Sequence, residues 1–155
     1  MIPFTTEEIY KYMPHENAEA NSPMMLEWPK VREEYDNKEV QEKWQRIIDL
    51  KEVVAKKLEE ARAEKVIGHS LNANVKLALK TDKYNEFKDS SELLQTVFIV
   101  SGVEIVEDNS IAEDVEVTVE PAKGEKCERC WTYSETVGED KENPTICKKC
   151  SEALK

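Results

Sequence analysis

CERCWTYSETVGEDKENPTICKKC, residues 127–150, gathers every cysteine of a 155-residue chain into two Cys-x-x-Cys pairs with sixteen residues between them. Each Cys-x-x-Cys turn aims two sulfurs at one point, and the excursion between lets the two turns meet. Cys127, Cys130, Cys147 and Cys150 therefore suit a closed tetrahedral Zn2+ site. Four thiolates leave no open coordination position, so the ion they imply is single and structural, not catalytic. The competing reading is a redox-active pair or free thiols, and two matched pairs at ribbon spacing weigh against it. Lys126, Arg129, Lys148 and Lys149 stand beside the cysteines and can offset the negative charge of a four-thiolate centre. The stretch reads as a zinc ribbon or knuckle, the body of a tail spanning residues 122–155.

Trp131 and Tyr133 directly follow the first pair. Two readings of them stand. They can stack on an unstacked RNA base, or they can be the small hydrophobic core of a knuckle that has little else to pack. With the four neighbouring cations they make six candidate RNA-contacting residues: Lys126, Arg129, Trp131, Tyr133, Lys148 and Lys149.

Working outward, the charge is divided unevenly. The net charge is −11, yet residues 122–155 carry seven basic and seven acidic side chains, so the whole excess lies in residues 1–121. A neutral tail permits a polyanionic partner, whereas the acidic body repels phosphate. The longest aliphatic and aromatic run, Val97-Phe98-Ile99-Val100, is too short to cross a bilayer. The start, MIPFTTEEIYKYMP, has no basic segment followed by an apolar one, so no secretory signal is expected. Both features point to a cytoplasmic protein without a membrane partner, a compartment in which paired cysteines mean metal more often than disulfide.

The body reads as α+β. Phe4, Ile9, Tyr10 and Met13 have helical spacing over residues 1–14, in a stretch too short to be stable alone. Pro14, Pro23 and Pro29 mark residues 15–35 as a linker. Asp36 with Glu39 forms a candidate capping box, and Tyr35 with Val40 a candidate hydrophobic staple. Val40, Trp44, Ile47, Val54, Leu58 and Ala61 then define one face of a long helix from Asn37 to about Val66, roughly 45 Å in length. Glu39–Lys43, Glu42–Arg46 and Glu52–Lys56 are placed to pair on its wet side, and Gly68 is its expected C-cap.

Beyond this strut, Val75, Leu77 and Leu79 alternate with polar positions as a half-buried strand. Thr81 or Asp82 can cap a helix carrying Tyr84, Phe87, Leu93 and Leu94. Phe98–Val100 and Val103–Val106 read as one or two strands around Gly102, and Val115, Val117 and Val119 as another. The expected organisation has three parts: residues 1–35, the end of a helical bundle plus linker; residues 36–121, the strut and a small α/β unit; and residues 122–155, the zinc-binding tail.

No catalytic constellation is visible. His15 lies in the linker, and His69 follows the expected helix end, where an imidazolium would favour the helix dipole. The four glycines are scattered, so none forms a phosphate-cradling loop.

The tail, as Lys126-Cys127-x-x-Cys130-Trp131 with Tyr133, Val137-Gly138, Cys147 and Cys150, resembles the C-terminal zinc-binding segment of bacterial-type isoleucyl-tRNA synthetases. ARAEKVIGHSLNANV (61–75) is similar to the helix-exit segment of that family, VFIVSGVEI (97–105) to its junction strand, and PFTTEEIYKYMP (3–14) to the last helix of its anticodon-binding bundle. His69 departs from the small residue that the family pattern suggests. The resemblance implies a C-terminal fragment of a class I aminoacyl-tRNA synthetase, an isoleucine–tRNA ligase. It implies isoleucine-specific tRNA, at its anticodon region, and the remainder of the synthetase as partners. The two ATP-handling signatures of that family, like any candidate for its editing domain, are not among these residues, so the chain by itself is expected to be catalytically silent. Two other classes share features with this sequence. A zinc-ribbon protein-interaction module without nucleic acid draws on the acidic body. A DNA glycosylase of the formamidopyrimidine type shares the ligand spacing, but this chain has no Pro-Glu start and carries Ser151, not Gln, after the last cysteine.

Overall fold

A computed structural model describes residues 2–14 and 20–154; His15 lies outside them. The chain divides into two compact units, Met1–Lys38 and Glu39–Lys155.

The first unit opens with α1, Pro3–Tyr12, whose proline sits in the first turn, where its missing N–H costs nothing. No residue of α1 is buried. The Tyr10 hydroxyl donates to the Ala20 carbonyl at 3.2 Å, and the Ser22 hydroxyl donates to the Glu7 carboxylate. Ser22 also caps a 3-10 turn at Pro23–Met25, accepting from the Met24 N–H at 3.1 Å, and a second such turn follows at Glu33–Tyr35. Large apolar side chains, among them Phe4, Trp28 and Val31, are exposed, so this unit has no hydrophobic core of its own among the described residues.

The second unit is built on one long helix and a three-stranded sheet. Helix α2, Lys38–Ala63, buries Ile47, Leu50, Val54, Leu58 and Ala61, a stripe at helical spacing. Val40 and Trp44, expected on that stripe, are 49% and 43% exposed. Length explains the difference. Twenty-six helical residues span about 39 Å, whereas the central strand β1, Ala73–Leu79, with seven residues, spans about 23 Å. The first turns of the helix overshoot the surface that buries the rest.

Helix α2 also stops differently from expectation. It ends at Ala63, and Lys65, not Gly68, takes the left-handed conformation, with φ 61°. Val66 N–H donates to the Ala61 carbonyl at 2.9 Å and Lys65 N–H to the Arg62 carbonyl at 3.1 Å, the paired bonds of a Schellman stop. The three pairs expected along the wet side do not close among the described residues. Arg46 instead reaches across to Glu86, and Lys57–Glu60 and Arg62–Glu59 pair at i,i+3.

Strand β1 lies between β2, Gly102–Glu107, and β3, Val115–Pro121, parallel to the first and antiparallel to the second. Its alternation is complete: Ala73, Val75, Leu77 and Leu79 are buried, and Asn74, Lys76 and Ala78 are half-buried. The parallel pair needs a crossover, supplied by two helices where one was expected: α3, Thr81–Phe87, and α4, Ser91–Phe98. The break falls in Lys88-Asp89-Ser90, where short polar side chains favour local turns over helix, and the Ser91 hydroxyl donates to the Val103 carbonyl at 2.6 Å. Neither Thr81 nor Asp82 caps α3. Its Thr81 N–H is taken by the Asn109 side chain at 3.2 Å, from the loop after β2.

Phe98, read as the start of a strand, is the last residue of α4 and packs with Leu94 on one helical face. The apolar run from Val97 to Val100 has no period of its own to separate helix from strand. Ile99 turns the chain with φ 58°, again through a Schellman pair, Val100 N–H to Gln95 O and Ile99 N–H to Thr96 O. Together these elements enclose a single cluster of buried side chains, centred on Val54, Val75, Leu77, Leu79 and Leu94. The architecture is α+β, and it ends in a four-cysteine tail. Among the described residues no helix is long and apolar enough to cross a membrane.

Candidate metal centre and nucleic-acid interface

The tail leaves the sheet after β3 and at once forms a minimal ribbon. Strand β4, Glu125–Lys126, pairs antiparallel with β5, Tyr133–Ser134, and between them runs the first cysteine turn. Gly124 makes this possible: it holds φ 83°, and any Cβ there would collide with the Ser134 backbone. Within the turn, Trp131 N–H donates to the Cys127 carbonyl and Cys127 N–H to the Thr132 carbonyl, both at 2.9 Å. The second pair opens helix α5, Lys148–Glu152, with Cys150 N–H bonded to the Cys147 carbonyl at 2.9 Å. The Glu128 N–H bond to the Thr145 carbonyl, at 3.1 Å, and the Lys148 N–H bond to the Thr136 hydroxyl, at 3.1 Å, bring the two turns face to face.

The four sulfurs converge. All lie within 4.8 Å of one another, and Cys130 Sγ is 3.8 Å from Cys147 Sγ. A tetrahedron with metal–sulfur bonds near 2.3 Å has edges of about 3.8 Å, so the donor set fits one zinc ion with little movement. Cys127, Cys147 and Cys150 are buried and Cys130 is exposed. Burial opposes the ionised form of Cys127, yet the N–H groups of Cys130, Cys147 and Arg129 draw its thiol down to about 6. Burial first, then the neighbouring sulfurs of Cys150, Cys127 and Cys130, pushes Cys147 up to about 12.

What holds the tail besides metal is slight. Its core consists of Cys127, Ile146, Cys147 and Cys150 with Val137 against them. Trp131 is not part of it. That side chain is 61% exposed and its residue sits at φ 68°, a left-handed conformation that a bulky residue adopts only at a cost. Lys126 Nζ lies 4.5 Å from the centroid of its ring, a cation–π contact. The packing reading of Trp131 therefore has no support in the fold.

Of the six candidate contact residues, Lys126, Trp131 and Tyr133 are brought together, lining a cleft of about 230 Å³ with His69, Leu71 and Asn72. Arg129, Lys148 and Lys149 are exposed but do not line it. Lys148 instead borders a second cleft of mixed charge, with Glu139, Asp140, Lys141, Ser151 and Glu152. His69 and Asn72 come from the segment between α2 and β1. Since α2 ends at Ala63, His69 is no helix terminus. It caps the 3-10 turn Ser70–Asn72, its Nδ1 accepting from the Leu71 N–H at 3.2 Å. Ser101 ties this segment to the ribbon: its hydroxyl donates to the Leu71 carbonyl at 2.5 Å and accepts from the Tyr133 N–H at 2.7 Å.

Comparison with known proteins accounts for both ends of the chain. Residues 124–153 match the model described as a zinc finger found in FPG and IleRS, and residues 1–77 match the anticodon-binding domain of tRNA ligase. The isoleucine–tRNA ligase of Caldanaerobacter subterraneus is 45% identical over 161 residues, covering 97% of this chain and 17% of that protein. Those of Moorella thermoacetica and Geobacter sulfurreducens are each 40% identical over the whole chain, covering 18% and 17% of their own lengths. The chain corresponds to a C-terminal region of the isoleucine–tRNA ligases. It spans less than a fifth of the length of these relatives. The zinc-finger model alone is shared between two classes of protein; the anticodon-binding match and the relatives along the whole chain favour the synthetase over the glycosylase. The finger is of the zinc type, and its four cysteines are positioned to bind one structural ion.

Proposed function

We propose that this chain is the part of a cytoplasmic isoleucine–tRNA ligase that holds the anticodon region of isoleucine tRNA. The parent would join isoleucine to that tRNA with ATP. Cys127, Cys130, Cys147 and Cys150 hold one zinc ion, which shapes the tail and supplies no reactive position, since four protein sulfurs close its coordination shell. Lys126, Arg129, Trp131 and Tyr133, with Lys148 and Lys149 at the margin, present cations and aromatic faces to unstacked loop bases, which are recognised by stacking and edge contacts. The division into a bundle end, a strut with its α/β unit, and a tail at residues 122–155 then follows function: the first two carry the tail, and the tail meets RNA.

One observation carries the reading. Trp131 is held outward, in a strained backbone conformation, with a lysine on its ring. Neither its burial nor its backbone stabilises the knuckle, so its place is explained by what it touches. Lysine over the ring also brings positive charge to where a nucleotide phosphate would lie.

The test is Trp131→Ala in a whole isoleucine–tRNA ligase that contains this region. The variant should use tRNA less well, by about 1–3 kcal/mol if the ring stacks on a base, with its affinities for ATP and isoleucine unaltered. Normal charging by a folded, zinc-containing variant would reject the reading. The 155-residue chain alone should show no isoleucine-dependent pyrophosphate exchange.

A further inference from the structure

The zinc tail and the sheet unit share no hydrophobic core. Their clusters of buried apolar side chains have no residue in common, so no such cluster fixes the angle between them. Beside the Trp131 cleft two hydrogen bonds join them. The Ala122 N–H donates to the Asn72 carbonyl at 2.7 Å, and this bond continues the β1–β3 register by one pair, since Ala73 lies opposite Pro121. It fixes where the chain leaves the sheet. The backbone then turns at Gly124, with φ 83°, and the ribbon lies past that turn. The second bond acts on the ribbon itself: the Tyr133 N–H, in β5, donates to the Ser101 hydroxyl at 2.7 Å.

Ser101 suits this task in type and in setting. Its hydroxyl accepts from Tyr133 and donates onward to the Leu71 carbonyl at 2.5 Å, two roles that a hydroxyl fills at once and alanine cannot fill. Its own backbone is held on both sides: the Ser101 N–H donates to the Ala73 carbonyl at 3.0 Å, and its carbonyl accepts from the Gln95 side chain at 2.8 Å. The hydroxyl therefore projects from a fixed point in the sheet unit. It ties that point to the ribbon, two residues from Trp131, and to the segment that carries His69, Leu71 and Asn72, and these two form the walls of the cleft. Both bonds are partly buried, so loss of the hydroxyl leaves a donor and an acceptor without their partner.

We propose that Ser101 is a positioning residue for RNA binding: its hydroxyl sets the ribbon, and with it Trp131 and Lys126, against the opposite wall of the cleft. This rests on the reading of the tail as the RNA-facing module and adds to it a residue of the sheet unit that acts through the ribbon and not on a base. With Ser101 in place the cleft is assembled before RNA arrives. Without it the ribbon stays folded on its zinc but swings at Gly124, and binding must then order it, which lowers affinity.

The experiment takes the zinc-loaded chain and its Ser101→Ala and Ser101→Thr variants through zinc analysis, amide residual dipolar couplings and titration with isoleucine tRNA. Ser101→Ala should keep one zinc equivalent and the native helical circular dichroism. The native chain should fit a single alignment; in Ser101→Ala the couplings of the ribbon should shrink against those of the sheet unit. Its tRNA affinity should fall about fivefold or more. Ser101→Thr keeps the hydroxyl, and residue 101 borders a cleft of about 270 Å³ that can take the added methyl group. It should restore both the single alignment and the affinity. Ser101→Cys, close in shape but a weak donor and acceptor, makes the same comparison if Ser101→Ala does not fold, and should bind more weakly than Ser101→Thr. A single alignment in the variant lacking the hydroxyl overturns the positioning role, and so does zinc loss from it. Native tRNA binding that this variant retains in full overturns the role of Ser101 alone, whereas no tRNA binding by the native chain overturns both that role and the reading of the tail.

Discussion

The sheet unit and the zinc tail lie side by side in one compact body and are held together by opposite means. The sheet unit encloses fifteen buried apolar residues among those described, drawn from α2, β1, α3, α4 and β3 and, with Ile67 and Val100, from the segments that connect them. The tail encloses four, of which three are metal-site cysteines. A hydrophobic core is non-directional and tolerates a lost methyl group; a core made of ligands collapses all at once when its ion leaves. The difference also decides where aromatic side chains go. Phe87 and Phe98 are interior in the sheet unit, whereas the tail, already closed by sulfur, leaves Trp131 outside. A module whose stability comes from metal can spend its aromatic surface on a partner.

The largest effect that would sharpen or break this contrast is chelation. Removing zinc should unfold residues 122–155 while the helical far-UV circular dichroism survives, because α2 and the sheet have their own buried face. Loss of the whole helical signal would mean that the two regions are one cooperative unit. The mirror experiment is Leu77→Ala, in the fully buried centre of β1, which should cost about 2–5 kcal/mol of body stability by denaturant titration and leave one zinc equivalent bound. Next in size, the cysteine pair Cys130→Ser with Cys147→Ser should abolish zinc retention without lowering the melting temperature of the sheet unit as far as Leu77→Ala does. The smallest effect belongs to Ile99, a β-branched residue held left-handed and exposed. Ile99→Gly should stabilise the body by up to about 1 kcal/mol, the relief of the left-handed penalty less the extra chain entropy of glycine. A destabilised Ile99→Gly would show that the side chain packs more than its exposure indicates.

Local signals were readable where they were local. Val75, Leu77 and Leu79 alternate strictly, and the strand is where that alternation puts it. The two cysteine pairs announce a tetrahedral site by spacing alone, and the sulfurs do converge. What could not be read depends on distant partners. The overshoot of Val40 and Trp44 follows from the length of a strand that comes some thirty residues later. Lys65 and Ile99 end their helices left-handed with no glycine to mark the place, and Gly68, the glycine that follows α2 in the sequence, lies three positions beyond the stop at Lys65. Asn109 caps α3 from the far end of β2, and Arg46 pairs with Glu86 across the fold instead of along its own helix. The cleft was half legible. Lys126, Trp131 and Tyr133 stood out beside the cysteines, but His69 and Asn72 join them only through the Ser101 and Ala122 bonds. The one signal in the sequence was His69 itself, a large polar residue where a small one was expected.

The central claim is that the metal-held tail exists to face RNA with Trp131. Its most direct test is to titrate isoleucine tRNA and an unrelated tRNA into the zinc-loaded chain and into its Trp131→Ala variant, with zinc content and circular dichroism checked for both. The native chain should favour isoleucine tRNA, weakly in absolute terms, and the variant should lose that binding while keeping its zinc and its helix. Equal affinity of both proteins for both tRNAs would contradict the claim and return Trp131 to an exposed aromatic without a partner.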